Sequence, residues 1–166
     1  RDGGTGLFFL GGNSVYWRSR FEASPVSGAA KRVLVVYKTT QGGIADPVSP
    51  TGTWRDPAGI NQPENALIGQ QYVGDNDNGF FPLRVSAAQG RDRVWRYTTL
   101  TSLAAGTTEV LGRDLVGWEW DARAANGREP AGVRTVAASP VTGELLTDSG
   151  KVYAAGSATA TTTVYK

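Results

Sequence analysis

The sequence GGNSVYWR, residues 11–18, separates two strand-like runs and decides how the N-terminal part of this chain is organised. Glycine and asparagine adopt backbone angles that other residues resist, so the chain can turn sharply there. An amide, a phenol, an indole and a guanidinium then follow one another within residues 13–18. The stretch therefore predicts either a hairpin with an aromatic face or the rim of a functional site.

The runs on both sides of this turn have the period of β-strands. Residues 7–10 are continuously apolar, which predicts a strand that is covered on both faces. After the turn, residues 15–22 alternate, which predicts a strand whose mostly apolar face carries Trp17 and Phe21. Residues 32–38 are rich in β-branched side chains and predict a further buried strand.

The remainder of the chain also favours strands. Residues 39–62 are rich in Gly, Pro, Thr and Asp, which predicts a long loop of the kind that is often functional. A helical turn is predicted only for residues 100–105. Strands are predicted for residues 66–74, 83–85, 94–97, 115–121, 132–137, 151–154 and 159–165. The sequence thus predicts one mainly β domain over residues 1–166, with antiparallel sheets packed face to face as a sandwich.

Absent residue types restrict the chemistry more than the totals do. The 166 residues include no Cys and no His, which excludes disulfides, thiol nucleophiles, imidazole bases and the commonest zinc ligands. There is also no Met, and the start Arg1-Asp2 does not have the order of a signal peptide, so we expect a processed or excised part of a larger protein. Interleaved charges with a net value of +2 argue against a nucleic-acid partner, and the apolar runs are too short for a membrane span.

A metal site in this chain would need carboxylate and phenolate oxygens, which suit a hard cation and, for phenolate, ferric iron. The candidates are Tyr16, Glu64, Glu119 and Asp121. Glu119 stands between two indoles whose apolar area would raise its pKa, although an outward-facing glutamate on a half-exposed strand is the ordinary alternative. Glu64 follows a proline at an element entrance, where a capping role is equally expected.

Tryptophans provide a second interpretation. Indoles on one β-face can stack against sugar rings, which would make this chain a carbohydrate-binding module. The ordinary alternative is that they fill the core of a β-domain. The residues concerned are Trp54, Trp95, Trp118 and Trp120.

Six motifs in a fixed order resemble a known family. They are FLGGNSVYWR at residues 9–18, VYK at 36–38, TGTWRD at 51–56, QPENALIG at 62–69, GWEWD at 117–121 and NGREPAG at 126–132. The series resembles the C-terminal part of the large (β) subunit of N,N-dimethylformamidase and its relatives. The resemblance runs from about Gly6 to the end of the chain.

This resemblance implies an amidohydrolase-like domain that is related in part to glutamine-amidotransferase-like α/β folds, so the edge of an α/β domain is expected at the N-terminus. It also implies a mononuclear iron held by two tyrosines and a glutamate. Tyr16 matches one tyrosine and Glu119 matches the glutamate, with Glu64 as the reserve. The other tyrosine belongs to an upstream Glu-Tyr-Trp segment that this chain does not contain, so the resemblance implies an incomplete iron site.

Two functional hypotheses follow. In the first, the chain is a domain of a dimethylformamidase-like amide hydrolase, in which Fe³⁺ on Tyr16 and Glu119 activates a water. Asn13 would then donate to the developing oxyanion, and Glu64 or Asp121 would serve as base. In the second, it is a non-catalytic carbohydrate-binding or structural module of a secreted multidomain protein. Expected partners are the remainder of the parent polypeptide or a second subunit, with a small amide or a glycan as ligand, and the expected location is extracellular.

Overall fold

The computed structural model describes residues 6–38, 44–76, 79–146 and 151–166. Their eight strands are β1 Arg20–Glu22, β2 Val33–Val35, β3 Gln71–Asp75, β4 Phe81–Ser86, β5 Thr108–Val116, β6 Glu119–Ala122, β7 Arg134–Leu146 and β8 Lys151–Val164. The helices are α1 Asn65–Ile68, α2 Ala87–Gly90 and 3₁₀-helices at Arg93–Trp95 and Thr99–Ser102. Over the described ranges, no helix has the length and apolar character that crossing a membrane requires.

The strands form antiparallel sheets. The largest has four strands in the order β6-β3-β7-β8, while β1 pairs with β2 and β4 pairs with β5. The long strands β7 and β8 pair with each other over most of their length, and β3 joins the hairpin to β6. The predicted mainly β fold with antiparallel sheets is confirmed, whereas the packing of those sheets as a sandwich stays a prediction.

Two hydrophobic clusters form the core, and β7 contributes to both. Trp120 of β6 packs with Val141 of β7 and with two alanines of β8 in the first cluster. Val85 of β4 packs with Leu100 and with Ala137 of β7 in the second. Alternate side chains of one strand share a face, so the long β7 can supply apolar side chains to both clusters from widely separated positions. Strand β7 therefore links the part of the domain that carries β6 to the part that carries β4.

The two predicted N-terminal strands are much shorter and more exposed than the alternation indicates. Only Arg20–Glu22 and Val33–Val35 form strands, and they pair with Phe21 opposite Leu34. Phe21 is 62% exposed and Leu34 is 60% exposed. The prediction of a buried strand at residues 32–38 is wrong, because within the described ranges this two-stranded sheet has no further strand beside it.

The continuous apolar run at residues 7–10 does not form a strand. Phe8 is 85% exposed and Leu10 is 94% exposed, so the predicted burial on both faces is wrong for this chain. Apolar character shows that a segment can be covered, but a strand also needs a neighbour for its backbone N–H and C=O groups. None of the strands that the structure describes pairs with this run.

The predictions for the shorter elements had mixed outcomes. Residues 66–74 contain helix α1 as well as β3, with Gly69 at φ +78 between them. Residues 94–97 belong to a 3₁₀-turn rather than a strand, because the side chain of Asp92 caps it by accepting from the Val94 N–H. The expected helical turn near residue 100 is present as Thr99–Ser102. Of the predicted loop, residues 39–43 lie outside the described residues, and residues 44–62 form no element beyond one β-bridge between Trp17 and Thr53.

Candidate functional site

The turn at residues 11–15 lies directly against strand β6. A Cβ atom on Gly12 would stand 2.3 Å from the carbonyl oxygen of Glu119, so only glycine permits this approach. Asn13 and Val15 both have left-handed backbone angles, with φ +57 and φ +58. That conformation is unfavourable for a β-branched residue such as Val15, by about 1–2 kcal/mol. Such strain persists where surrounding contacts impose it, and it concentrates at functional sites.

Asn13 connects this turn to two carboxylates of β6. Its backbone N–H donates to Asp121 Oδ1 at 2.8 Å, and its side-chain Nδ2 donates to Glu119 Oε1 at 2.9 Å. Glu119 and Asp121 are two residues apart on a strand, so their side chains leave the same face. The structure therefore brings the predicted site residue Asn13 to two others, Glu119 and Asp121, that follow it by more than a hundred positions in the sequence.

Tyr16 is buried, although the alternation placed it on the polar face of a strand. Its ring packs edge-on against Tyr72 with centroids 5.0 Å apart, and the Arg55 guanidinium lies over it at 4.9 Å. The Tyr16 carbonyl accepts from the Trp54 N–H at 3.1 Å, and the neighbouring bridge joins Trp17 to Thr53. This bridge to the loop, rather than a regular strand, determines which way the phenol points.

Glu64 forms a buried ion pair with Arg55. Arg55 Nη2 donates to Glu64 Oε1, Arg55 Nε donates to Oε2 at 3.2 Å, and the Tyr72 N–H donates to Oε1 at 3.2 Å. The predicted capping role is wrong, because Glu64 precedes α1 but its side chain makes no cap hydrogen bond. A charge-assisted, two-point pair with a guanidinium is stronger than a bond to a neutral helix N–H.

Tyr72 and Arg55 belong to this region and were not predicted as site residues. Tyr72 is buried on β3, where it pairs directly with Asp121 of β6. Burial, followed by the nearby carboxylates of Asp75 and Glu119, raises the pKa of the Tyr72 phenol well above its usual value. Only the register of β3 against β6 places this phenol here, and no local sequence motif encodes that register.

Asp121 has the most unusual electrostatic environment among these carboxylates. It is 4% exposed, and burial raises its pKa to about 7. The hydrogen bond from Asn13 and the charge of Arg55 oppose that rise, while Glu64 and Glu119 add to it. Asp121 Oδ2 and Asn13 Oδ1 are buried acceptors without a hydrogen-bond partner. Buried acceptors of this kind are usually satisfied by a protein donor, a water or a ligand. The site can therefore accept a hydrogen bond from a water or a ligand.

The donor set fits a hard cation. Tyr16 and Tyr72 pack against each other with ring centroids 5.0 Å apart, and the carboxylate of Glu119 is near enough to the Tyr72 phenol to add to the rise of its pKa that burial causes. Phenolate and carboxylate oxygens suit hard ions such as ferric iron. Within the described ranges, no group of three or more His, Cys, Asp or Glu residues is arranged to hold a metal ion, so any such site there would depend on the phenols.

The tryptophans do not form a shared exposed surface. Trp120 is buried in the first hydrophobic cluster, and Trp95 packs against the second while donating its indole N–H to the Val136 carbonyl at 3.1 Å. Trp54 is half-buried with the Arg18 guanidinium over its ring at 5.7 Å, which leaves Trp118 as the exposed indole of the four. These positions agree with the alternative in which most of the tryptophans pack into the domain and do not form a sugar-binding face.

Comparison with known proteins gave a single assignment. A search of curated proteins and a search of solved structures each found no significant match. A family model described as N,N-dimethylformamidase beta subunit-like, C-terminal, matches residues 1–166, which is the whole chain. The chain therefore belongs to the N,N-dimethylformamidase beta subunit-like, C-terminal family.

Proposed function

We propose that this domain takes part in hydrolysis of an amide C–N bond, in a dimethylformamidase-like reaction that uses Fe³⁺ at Tyr16 and Glu119. The observation that carries the proposal is that the strained turn at residues 11–15 joins Asn13 to the carboxylates of Glu119 and Asp121 on β6 and leads directly into the buried Tyr16. Backbone strain of this kind concentrates at functional sites. Membership of a family named for an amide hydrolase supports the reaction class.

Tyr16 and Glu119 would hold the iron, and Tyr72 places a second phenol beside them. Such an ion polarises a carbonyl and lowers the pKa of a bound water. The carboxylates of Asp75 and Glu119 raise the pKa of the Tyr72 phenol when no cation is present, and a cation would reverse that influence. The positive charge of Arg55 is largely balanced by its pair with Glu64, which leaves the carboxylates of β6 to attract a cation.

The remaining roles are assigned from the contacts. Asn13 orients Glu119 through one amide hydrogen, and its second amide hydrogen would donate to the substrate oxygen. Asp121, with a pKa of about 7, would take a proton from water and return it to the departing nitrogen. Glu64 is a weaker candidate base, because its carboxylate is already bound to Arg55 and to the Tyr72 N–H. We assign it a positioning role.

The site would be completed by further polypeptide, either the remainder of a parent chain or a second subunit. The family description, N,N-dimethylformamidase beta subunit-like, C-terminal, supports this part of the proposal. The alternative of a carbohydrate-binding module has no shared exposed face among the four indoles to support it.

The test is a colour change followed by an activity measurement. Loading the protein with Fe³⁺ should produce a visible phenolate-to-iron charge-transfer band, and Tyr16→Phe should abolish or shift it. Tyr97→Phe is the matched control, because Tyr97 is exposed on a 3₁₀-turn outside the site. With the polypeptide that completes the site present, hydrolysis of N,N-dimethylformamide by the loaded protein should fall with the band in Tyr16→Phe. An iron-loaded protein that stays colourless would contradict the metal assignment.

A further inference from the structure

A cavity of about 370 Å³ lies beside the candidate site, between residues 9–12 and strands β5, β6 and β8. Its lining includes the apolar side chains of Leu83, Leu115 and Val116 and the polar side chains of Gln70 and Asp121. The volume is in the range of small-molecule sites, which combine a mostly apolar lining with a few placed polar groups. This lining has the same combination.

Two acceptor atoms of polar lining residues have no hydrogen-bond partner in the protein. They are Asp121 Oδ2 and Gln70 Oε1, and both atoms are buried. The whole Asp121 side chain is nine-tenths buried or more, since the residue is 4% exposed. Buried acceptors rarely remain unsatisfied, so this pair indicates a ligand that brings hydrogen-bond donors.

The charge of the lining indicates which kind of hydrogen-bond donor the ligand carries. Glu119 and Asp121 line the cavity, and its lining includes no Lys or Arg. Arg55, which lies nearby, is bound to Glu64. The lining also includes Trp120, whose indole N–H lacks a partner, and the hydroxyl side chains of Ser139, Thr161 and Thr162. The cavity therefore offers negative charge and two buried acceptors, with no cationic side chain in its lining.

We propose that this cavity binds a small organic amine in its ammonium form, with N–H donors on Asp121 Oδ2 and Gln70 Oε1 and the hydrocarbon body against Leu115 and Val116. The N–H donors of such a head group match the two buried acceptors, and its positive charge matches the acidic lining.

An amine is one product of amide hydrolysis, so the biological meaning of this inference rests on the proposed function. The cavity would then select substrates by their amine half. Binding itself requires neither a metal nor turnover, and it can therefore be measured separately.

The first experiment is calorimetric titration of the metal-free protein with cyclohexylammonium, cyclohexanol and N,N,N-trimethylcyclohexylammonium. Cyclohexylammonium should bind saturably and at least about tenfold more tightly than the other two, because the alcohol lacks the charge and the quaternary ion lacks N–H donors. Equal binding of all three, or no saturable binding of the primary ammonium, would overturn the proposal.

Single substitutions test whether cyclohexylammonium binds in this cavity. Asp121→Asn keeps the shape of the side chain and should weaken cyclohexylammonium binding about tenfold or more. Asp114→Asn is the matched control, since Asp114 is an exposed carboxylate on β5 outside the cavity, and it should leave binding unchanged. Leu115→Trp adds bulk at an exposed position of the lining and should also weaken binding without a folding cost. Unchanged affinity in both Asp121→Asn and Leu115→Trp would refute the assignment.

Amide hydrolysis by the iron-loaded protein, together with the polypeptide that completes the site, separates the two proposals. Hydrolysis without amine binding would overturn the cavity assignment alone. Amine binding without hydrolysis by the completed site would leave the cavity assignment standing and overturn the proposed reaction.

Discussion

Asp121 shows how one buried residue can make stability depend on pH. Its pKa is raised to about 7 by burial in the folded protein, against about 3.9 in an unfolded chain. Between these values the folded state binds more protons than the unfolded state. The free energy of unfolding of the metal-free protein should therefore fall as pH rises, by up to about 1.4 kcal/mol per pH unit. The contribution is fully present below about pH 4 and is lost as pH rises through 7.

The measurement is urea denaturation of the metal-free protein from pH 4.5 to 8, compared with Asp121→Asn. The variant should lose most of the downward slope and should gain stability relative to the parent at pH 8. Asp46 and Asp92 do not disturb this window, because Arg20 and Arg134 hold their pKa values below the usual range. Parallel stability curves for the two proteins would show that Asp121 does not titrate near neutrality.

At the scale of elements, the ion pair of Glu64 and Arg55 holds together three pieces of the site. Arg55 lies in the loop before α1, Glu64 stands at the start of α1, and both side chains bond to the backbone of Tyr72 on β3. Glu64→Gln should reduce the free energy of unfolding by about 3 kcal/mol, because it leaves a largely buried guanidinium without its counter-charge. Chemical denaturation measures the change.

The control for this prediction is Glu129→Gln. Glu129 pairs with Arg123, whose side chain is 40% exposed, and exposed pairs contribute about 1 kcal/mol or less. A Glu64→Gln variant as stable as Glu129→Gln would mean that the loop, α1 and β3 are held together by other contacts.

The elements also show what the sequence could predict. Alternation correctly indicated the centre of β4 and parts of β7 and β8, because these strands lie on the hydrophobic clusters and one face must be apolar. The continuous apolar run at residues 7–10 predicted a strand that does not form, and none of the described strands pairs with it. The turn at residues 11–13 was predicted from its glycines, whereas Tyr72 depended on a strand register that local sequence does not encode.

In the whole molecule, the distribution of buried contacts predicts which parts open first. Strands β7 and β8 pair over a long register, and β7 supplies residues to both hydrophobic clusters. The sheet of β1 and β2 is short, and its paired residues Phe21 and Leu34 are exposed. Local opening requires least free energy where few apolar contacts are buried.

Hydrogen exchange followed by mass spectrometry tests this expectation on the metal-free protein. Peptides from residues 134–143 and 158–164 should exchange slowest, since opening them disrupts both clusters. Peptides from residues 20–22 and 33–35 should exchange at least about a hundredfold faster, which corresponds to a difference of about 3 kcal/mol in opening free energy. Equal protection of the two regions would show that β1 and β2 are covered by contacts beyond those among the described residues, and that the exposed apolar residues of the N-terminal region are buried in solution.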